Sequence, residues 1–244
     1  MTQARIRPAV LFAAMALALA ASPGCKKTVG SACKANEALC EDPKSALSCQ
    51  GGKFVEVSCN GPLGCTKYQD KTNCDTSVGT EGAPCMGETD EQYACTPDKK
   101  RALLCKGGHF ERYLECRGKA GCSLLGQQVS CDTSVANKGD PCKKQGAVAC
   151  TEDQKQMVIC RDGKFDSYRF CRGRFGCYSK DDAPTCDESI ALEGDPCGIP
   201  GFLACSVDGK TELACQGGVF GFSRACKKSG CVVTNRPGRA VDCQ

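Results

Sequence analysis

From Ala9 to Ala21 the chain runs apolar without a charge, preceded by Arg5 and Arg7; after it, no stretch sustains an apolar period of 3.6 residues. The remainder is a series of short runs rich in β-branched and aromatic residues. Gln156-Met157-Val158-Ile159-Cys160 and Lys164-Phe165-Asp166-Ser167-Tyr168-Arg169-Phe170, for example, flank Arg161-Asp162-Gly163. Short runs broken by Gly pairs predict β-hairpins with two-residue turns, because glycine adopts the positive φ such turns need. The Asp-centred segments before them, such as Glu152-Asp153-Gln154-Lys155, predict further turns. Helices are expected to be few.

The cysteines carry a repeat. Module one holds Cys33, Cys40, Cys49, Cys59, Cys65 and Cys74, and module two Cys85, Cys95, Cys105, Cys116, Cys122 and Cys131. Module three holds Cys142, Cys150, Cys160, Cys171, Cys177 and Cys186, and module four Cys197, Cys205, Cys215, Cys226, Cys231 and Cys243. The first cysteines are 52, 57 and 55 residues apart. Gly30, Gly82, Gly139 and Gly194 each stand three before them, and a Gly-Phe turn segment comes after each third cysteine, ending in Phe54, Phe110, Phe165 and Phe220. Repetition at this period marks an array of like units. The chain divides into 1–24, a signal peptide; 25–29, a tether; and modules at 30–81, 82–138, 139–193 and 194–244.

Each module then reads as a three-stranded meander followed by a second hairpin: a small disulfide-rich all-β fold, in tandem array. Fifth and sixth cysteines are nine residues apart in modules one to three, an odd separation that places them opposite each other across an even-numbered hairpin loop. On this arithmetic the expected bonds are Cys65–Cys74, Cys122–Cys131 and Cys177–Cys186, with Cys231–Cys243 closing a longer loop. The remaining four cysteines of each module have three possible pairings. The joints Cys74 to Cys85, Cys131 to Cys142 and Cys186 to Cys197 are all eleven residues and share the start Asp75-Thr76-Ser77-Val78, Asp132-Thr133-Ser134-Val135 and Asp187-Glu188-Ser189-Ile190. Flexible linkers tolerate changes of length and composition. Ordered joints with Val78, Val135 and Ile190 packed between modules, and a semi-rigid rod, are expected.

The apolar run at the N-terminus is about 13 residues, short of the roughly 20 that span a bilayer, and has the anatomy of a secretory signal. Directly after it, Ala21-Ser22-Pro23-Gly24-Cys25 resembles a bacterial lipoprotein box, with Ser22 where that box usually has Leu; cleavage near Ala18-Leu19-Ala20 is the alternative. Cys25 is the odd thiol of 25, and lipidation would remove it from an oxidising compartment. The resemblance implies an exported protein, anchored through Cys25 in the cell envelope, at the outer membrane or cell surface. Residues 30–244 are similar in spacing to small disulfide-rich extracellular modules, some of them chitin-binding, and to cysteine-rich lipoproteins predicted in myxobacteria.

Catalytic chemistry has little to stand on. His109 is the sole imidazole, and Lys53, Lys164 and Val219 occupy its place in the other copies. No Ser-His-Asp set, phosphate-binding glycine loop or DxDxDG calcium loop is recognisable. Zinc is not expected, since no CxxC pair occurs and exported cysteines pair with each other. Without Arg5 and Arg7 the chain has 30 basic and 28 acidic residues, too balanced for nucleic-acid binding. No enzyme, cofactor or metal is therefore expected. The partners are the membrane through the lipid and a surface protein or polysaccharide. In sugar-binding modules exposed rings stack on pyranose faces, so the candidate ligand residues are Phe54, Phe110, Phe165 and Phe220, assisted by Tyr113 and Tyr168. The same repeated Phe positions are also what a minimal core needs. A structural or protein-interaction rod is the first functional expectation and polysaccharide binding the second. Reducing agent should unfold the protein while a chelator leaves it folded, measured by circular dichroism; intact mass of membrane-extracted protein should show a diacylglycerol-type adduct on Cys25.

Overall fold

The structure, a computed structural model, describes residues 26–244 except 70, 87–91, 181–182, 228–229, 237–238 and 244. Cys25 and the N-terminal apolar run lie outside the described residues. Among those described there is no helix, and twenty-one short strands repeat one plan. Module one folds as β1 (Ala38–Asp42), β2 (Ser45–Gln50) and β3 (Lys53–Ser58) in a meander, then the hairpin β4 (Cys65–Tyr68) and β5 (Lys71–Cys74). Module two repeats this as β6 (Tyr93–Cys95), β7 (Arg101–Lys106), β8 (His109–Glu115), β9 (Cys122–Leu125) and β10 (Gln128–Cys131). Module three has β11 (Val148–Cys150), β12 (Gln156–Arg161), β13 (Lys164–Phe170), β14 (Cys177–Lys180) and β15 (Ala183–Cys186). Module four begins with β16 (Ile190–Ala191) and continues as β17 (Leu203–Ser206), β18 (Thr211–Gln216), β19 (Val219–Ala225), β20 (Cys231–Arg236) and β21 (Arg239–Cys243).

The predicted two-residue turns form. Gly51 and Gly52 sit at φ 56° and 78°, and Asp162 and Gly163 at 50° and 79°, with Gln50 opposite Lys53 and Arg161 opposite Lys164. Positive φ at both central residues is the type I′ turn, whose twist matches the flanking strands. Asp tolerates the first position and Gly suits the second.

Both edges of each meander are occupied in modules two to four. On one side the segment before the first cysteine bridges to the start of the third strand: Gly139 N donates to Phe165 O at 2.8 Å, and Phe165 N to Asp140 O at 2.9 Å. Pro84, Pro141 and Pro196 lie in this bridge, on the outermost segment, where a missing N–H costs least. On the other side the joint adds a parallel bridge, lengthened to the two-residue strand β16 in module four. Val78 pairs with Cys95, Val135 with Cys150 and Ile190 with Cys205. The joints are thus hydrogen-bonded parts of the following sheet. Val78, Val135 and Ile190 are half-buried, while the next residue enters the core in modules three and four, with Ala136 joining the cluster of Phe165 and Ala191 that of Phe220.

The disulfides pair first with third, second with fifth and fourth with sixth cysteine in all four modules, as in Cys33–Cys49, Cys40–Cys65 and Cys59–Cys74. The expected cross-hairpin bonds are therefore corrected. The register behind them is right: Cys65 faces Cys74, Cys122 faces Cys131, Cys177 faces Cys186 and Cys231 faces Cys243. Opposed residues of a hairpin project to one face, and that face lies on the meander. Each sulfur meets a cysteine there, Cys122 bonding Cys95 and Cys131 bonding Cys116 at Cα separations of 5.7 and 5.0 Å. Two bonds thereby hold the hairpin on the sheet, where a cross-hairpin bond would only tie strands already paired.

In the chain-entropy account, closing loops of 15 to 27 residues contributes about 3 kcal/mol per bond. Replacing Cys95 and Cys122 together by Ala should lower module stability by about that amount. Proteolysis should then cut first at the released β9–β10 hairpin, and peptide mass mapping of the native protein should recover Cys95–Cys122 and no Cys122–Cys131 link.

Candidate interaction surface

The four repeated phenylalanines do not face solvent. Phe54, Phe110, Phe165 and Phe220 are between 1% and 2% exposed, each beside the first or third cysteine of its module or both. They form the cores, and rings so enclosed cannot stack on a sugar. This corrects the expectation that they bind ligand. Tyr113 is half-buried, its ring 5.1 Å from that of Tyr93 and under the Lys143 ammonium of the next module at 4.2 Å. Tyr168 is also half-buried; its hydroxyl accepts from Arg169 Nη2 at 2.9 Å. Both tyrosines are engaged in protein contacts near joints. His109 is exposed on its turn, with Nδ1 3.4 Å from Gly107 O.

The repeated Asp residues after the second cysteines shape turns. Asp98 Oδ1 accepts from Thr96 Oγ1 at 2.6 Å and Lys100 N at 3.0 Å, and Asp153 does the same with Thr151 and Lys155. Asp208 repeats this with Ser206 and Lys210. These hydroxyl and backbone donors, the hydroxyl foremost, hold the three carboxyls below the usual carboxylate value. Among the described residues no group of His, Cys, Asp or Glu is arranged to hold a metal ion.

A second Asp, next after the sixth cysteine, ties hairpin to joint. Asp75 accepts from Leu63 N and Ser77 N at 3.0 Å, Asp132 from Ala120 N and Ser134 N at 3.0 Å, and Asp187 from Phe175 N and Ser189 N at 3.1 Å. Gly61, Gly118 and Gly173 lie against these carboxylates, where any Cβ would collide. In sequence the motif is Gly-x-x-Gly-Cys plus a distant Asp, and nothing in the spacing announced that they meet. Partial burial raises the Asp75 and Asp132 carboxyls, but the opposing hydrogen bonds from Leu63 and Ser77, and from Ala120 and Ser134, leave both below the usual value.

Arginine–aspartate ion pairs cross two joints. Arg117 Nε donates to Asp140 Oδ2 at 3.0 Å and Nη1 to Glu152 Oε2 at 3.1 Å. Arg172 Nε donates to Asp195 Oδ2 at 2.8 Å. Each arginine comes directly after a fourth cysteine, and each aspartate precedes the Pro-Cys that opens the next module. At the first joint the corresponding residues are Asn60 and Ala83, and Gln50 Nε2 donates to Cys85 O at 2.8 Å instead. Arginine and aspartate are thus present together or absent together, a signal of contact that the sequence itself carries. At the third joint Glu188 is buried; burial pushes its carboxyl up, against the pull of Arg169 Nη1 at 3.7 Å and the Gly198 N–H.

Two open clefts lie near the joints. One of about 660 Å³ is beside the first joint, lined by Leu63, Asn73, Thr76, Met86, Tyr93 and Leu124. Another of about 540 Å³ is on module three below the loop 172–176. Exposed rings are found at other places than the repeated Phe: Tyr68, Phe175, Tyr178 and Phe222. No protein-family model matches this chain, and no curated protein or solved structure matches it. The four copies therefore supply the comparison for one another.

Because Asp75 and Asp132 titrate lower folded than unfolded, their contribution is complete above the unfolded value of about 4 and is lost as pH falls through the folded value. Asp132→Asn should lower stability at neutral pH by about 1 kcal/mol after allowance for solvent screening, and thermal melts from pH 7 downward should show a shallower acid decline than the parent.

Proposed function

We propose that this chain is a non-catalytic cell-envelope lipoprotein, held by a lipid on Cys25, whose four modules form a structural or protein-interaction rod. The observation that carries the reading is the construction of the joints. Each one is bridged in parallel to the first strand of the next sheet, and two of the three carry an arginine–aspartate pair between modules. A chain whose only need was to link binding units would not require such joints, and enzymes place their reacting groups in an enclosed cleft. The clefts here are open. Twelve disulfides suit an oxidising compartment, in keeping with export by the N-terminal signal. A semi-rigid array standing off a membrane can carry a recognition surface away from it, and several weak contacts along one chain add through effective concentration.

Polysaccharide binding is the second reading, and it passes from the buried phenylalanines to the exposed rings of module three. Small-angle scattering of an oxidised, full-length Cys25→Ser protein tests the rod: an elongated, well-defined particle is expected, and the double variant Arg117→Ala/Arg172→Ala should broaden the distribution of lengths while leaving each module folded. A globular particle, or a fully flexible chain unaffected by the two substitutions, would count against it.

A further inference from the structure

The sequence Cys171-Arg172-Gly173-Arg174-Phe175-Gly176-Cys177-Tyr178 departs from its three counterparts at positions the fold leaves free. Phe175 stands where the other copies have Leu63, Ala120 and Ser229, and Tyr178 where they have Thr66, Ser123 and Val232. Neither ring supports the core: Phe175 is 65% and Tyr178 38% exposed. They pack on each other edge to face, centroids 6.3 Å apart and planes at 61°. The loop presenting them is held from every side. Phe175 N donates to Asp187 Oδ2 at 3.1 Å, Gly176 N to Gly173 O at 3.0 Å and Cys177 N to Gln154 O at 2.6 Å. Gly176 has φ 61° with the Gln154 carbonyl where a Cβ would stand, and Cys171 and Cys177 are both in disulfides. A rigid loop displaying an apolar ring loses little further conformational entropy when something covers it.

Beneath this loop runs the cleft of about 540 Å³, lined among others by Gln154, Lys155, Gln156, Arg174 and Phe175. Arg172 is taken by Asp195. Arg174 and Lys155 differ from it in that neither stands in an ion pair among the described residues; Asp153 of the same lining keeps its negative charge while accepting from Thr151 Oγ1 and the Lys155 backbone N–H, and the two cations outnumber it. The site therefore offers the exposed ring of Phe175, steadied by Tyr178 beside it, two amide side chains and two cations around an open groove. Amides and rings suit a pyranose, with hydroxyls at its rim and C–H groups on its face; cations suit its acidic substituents. Two rings are too small an apolar patch for the core of a stable protein interface.

We propose that module three binds an anionic polysaccharide in this groove, a sugar ring stacking on Phe175, with Tyr178 packed against that ring, and its carboxylate, sulfate or phosphate ester meeting Arg174 and Lys155. The proposal rests on the non-catalytic surface reading above and gives it a ligand class. The probes are polygalacturonate and dextran sulfate as acidic glycans, dextran as the neutral one, and vesicles of phosphatidylglycerol with phosphatidylcholine, offered to the oxidised full-length Cys25→Ser protein and followed by affinity electrophoresis and flotation. Retardation by an acidic glycan and none by dextran is expected. Phe175→Ser and Arg174→Ser should each weaken it about tenfold, with Leu63→Ser, the same position in module one, leaving it unchanged. Absence of binding to both acidic glycans overturns the proposal. Binding that survives Phe175→Ser overturns it too, because charge alone then accounts for retention, as does flotation with vesicles lost in the same variants. The scattering measurement reads the array separately, so an elongated particle that ignores every glycan sinks this site and not the rod.

Discussion

In every module the second hairpin is bonded to the meander at two points, second cysteine to fifth and fourth to sixth, and the rest of the molecule depends on that attachment. A module of this size cannot bury enough apolar surface to hold two separate sheets together. Its core amounts to one Phe, a few aliphatic side chains and the cystines themselves, most of which are buried. With the hairpin in place, the Gly-x-x-Gly loop that leads into it is seated on the turn of the meander, Cys122 N donating to Lys99 O and Cys177 N to Gln154 O. The aspartate after the sixth cysteine can then reach back to that loop and set the direction in which the chain leaves.

That direction explains the joints. Because the departing strand is fixed by Asp75, Asp132 and Asp187, eleven residues suffice to lay it along the first strand of the next meander and bring the following cysteine to its bridge. One residue more or less would shift the parallel pairing and move the core-entering residue, Ala136 or Ala191, to the wrong face. The joint also covers a sheet edge that would otherwise be open to pairing with other chains. The arginine–aspartate pairs act on top of this backbone arrangement; being partly exposed, each contributes modestly to stability and more to orientation.

The scaffold does not use every exposed position. Positions common to all copies, the phenylalanines included, are committed to turns, cores and cross-links. Positions that differ at exposed loops are free to vary, and at Phe175 and Tyr178 module three has put rings where its neighbours carry small, aliphatic or hydroxyl side chains. A residue repeated four times in one place, as these phenylalanines are, reports the demands of the fold.

The sequence by itself determined the strand plan, the two-residue turns and the hairpin registers, because these come from local rules: glycine at positive φ, alternation along a strand, and the parity of residues across a short loop. Order at the joints was legible from their constant length. Only the tertiary structure decided the cysteine partners. Parity shows which residues oppose each other in a hairpin, but a disulfide goes to the sulfur on the facing surface, and for the fifth cysteine that surface belongs to a strand 25 to 27 residues earlier in the chain. The burial of Phe54, Phe110, Phe165 and Phe220 and the exposure of Phe175 were decided in the same way, by how two sheets close on each other and which loop is left outside.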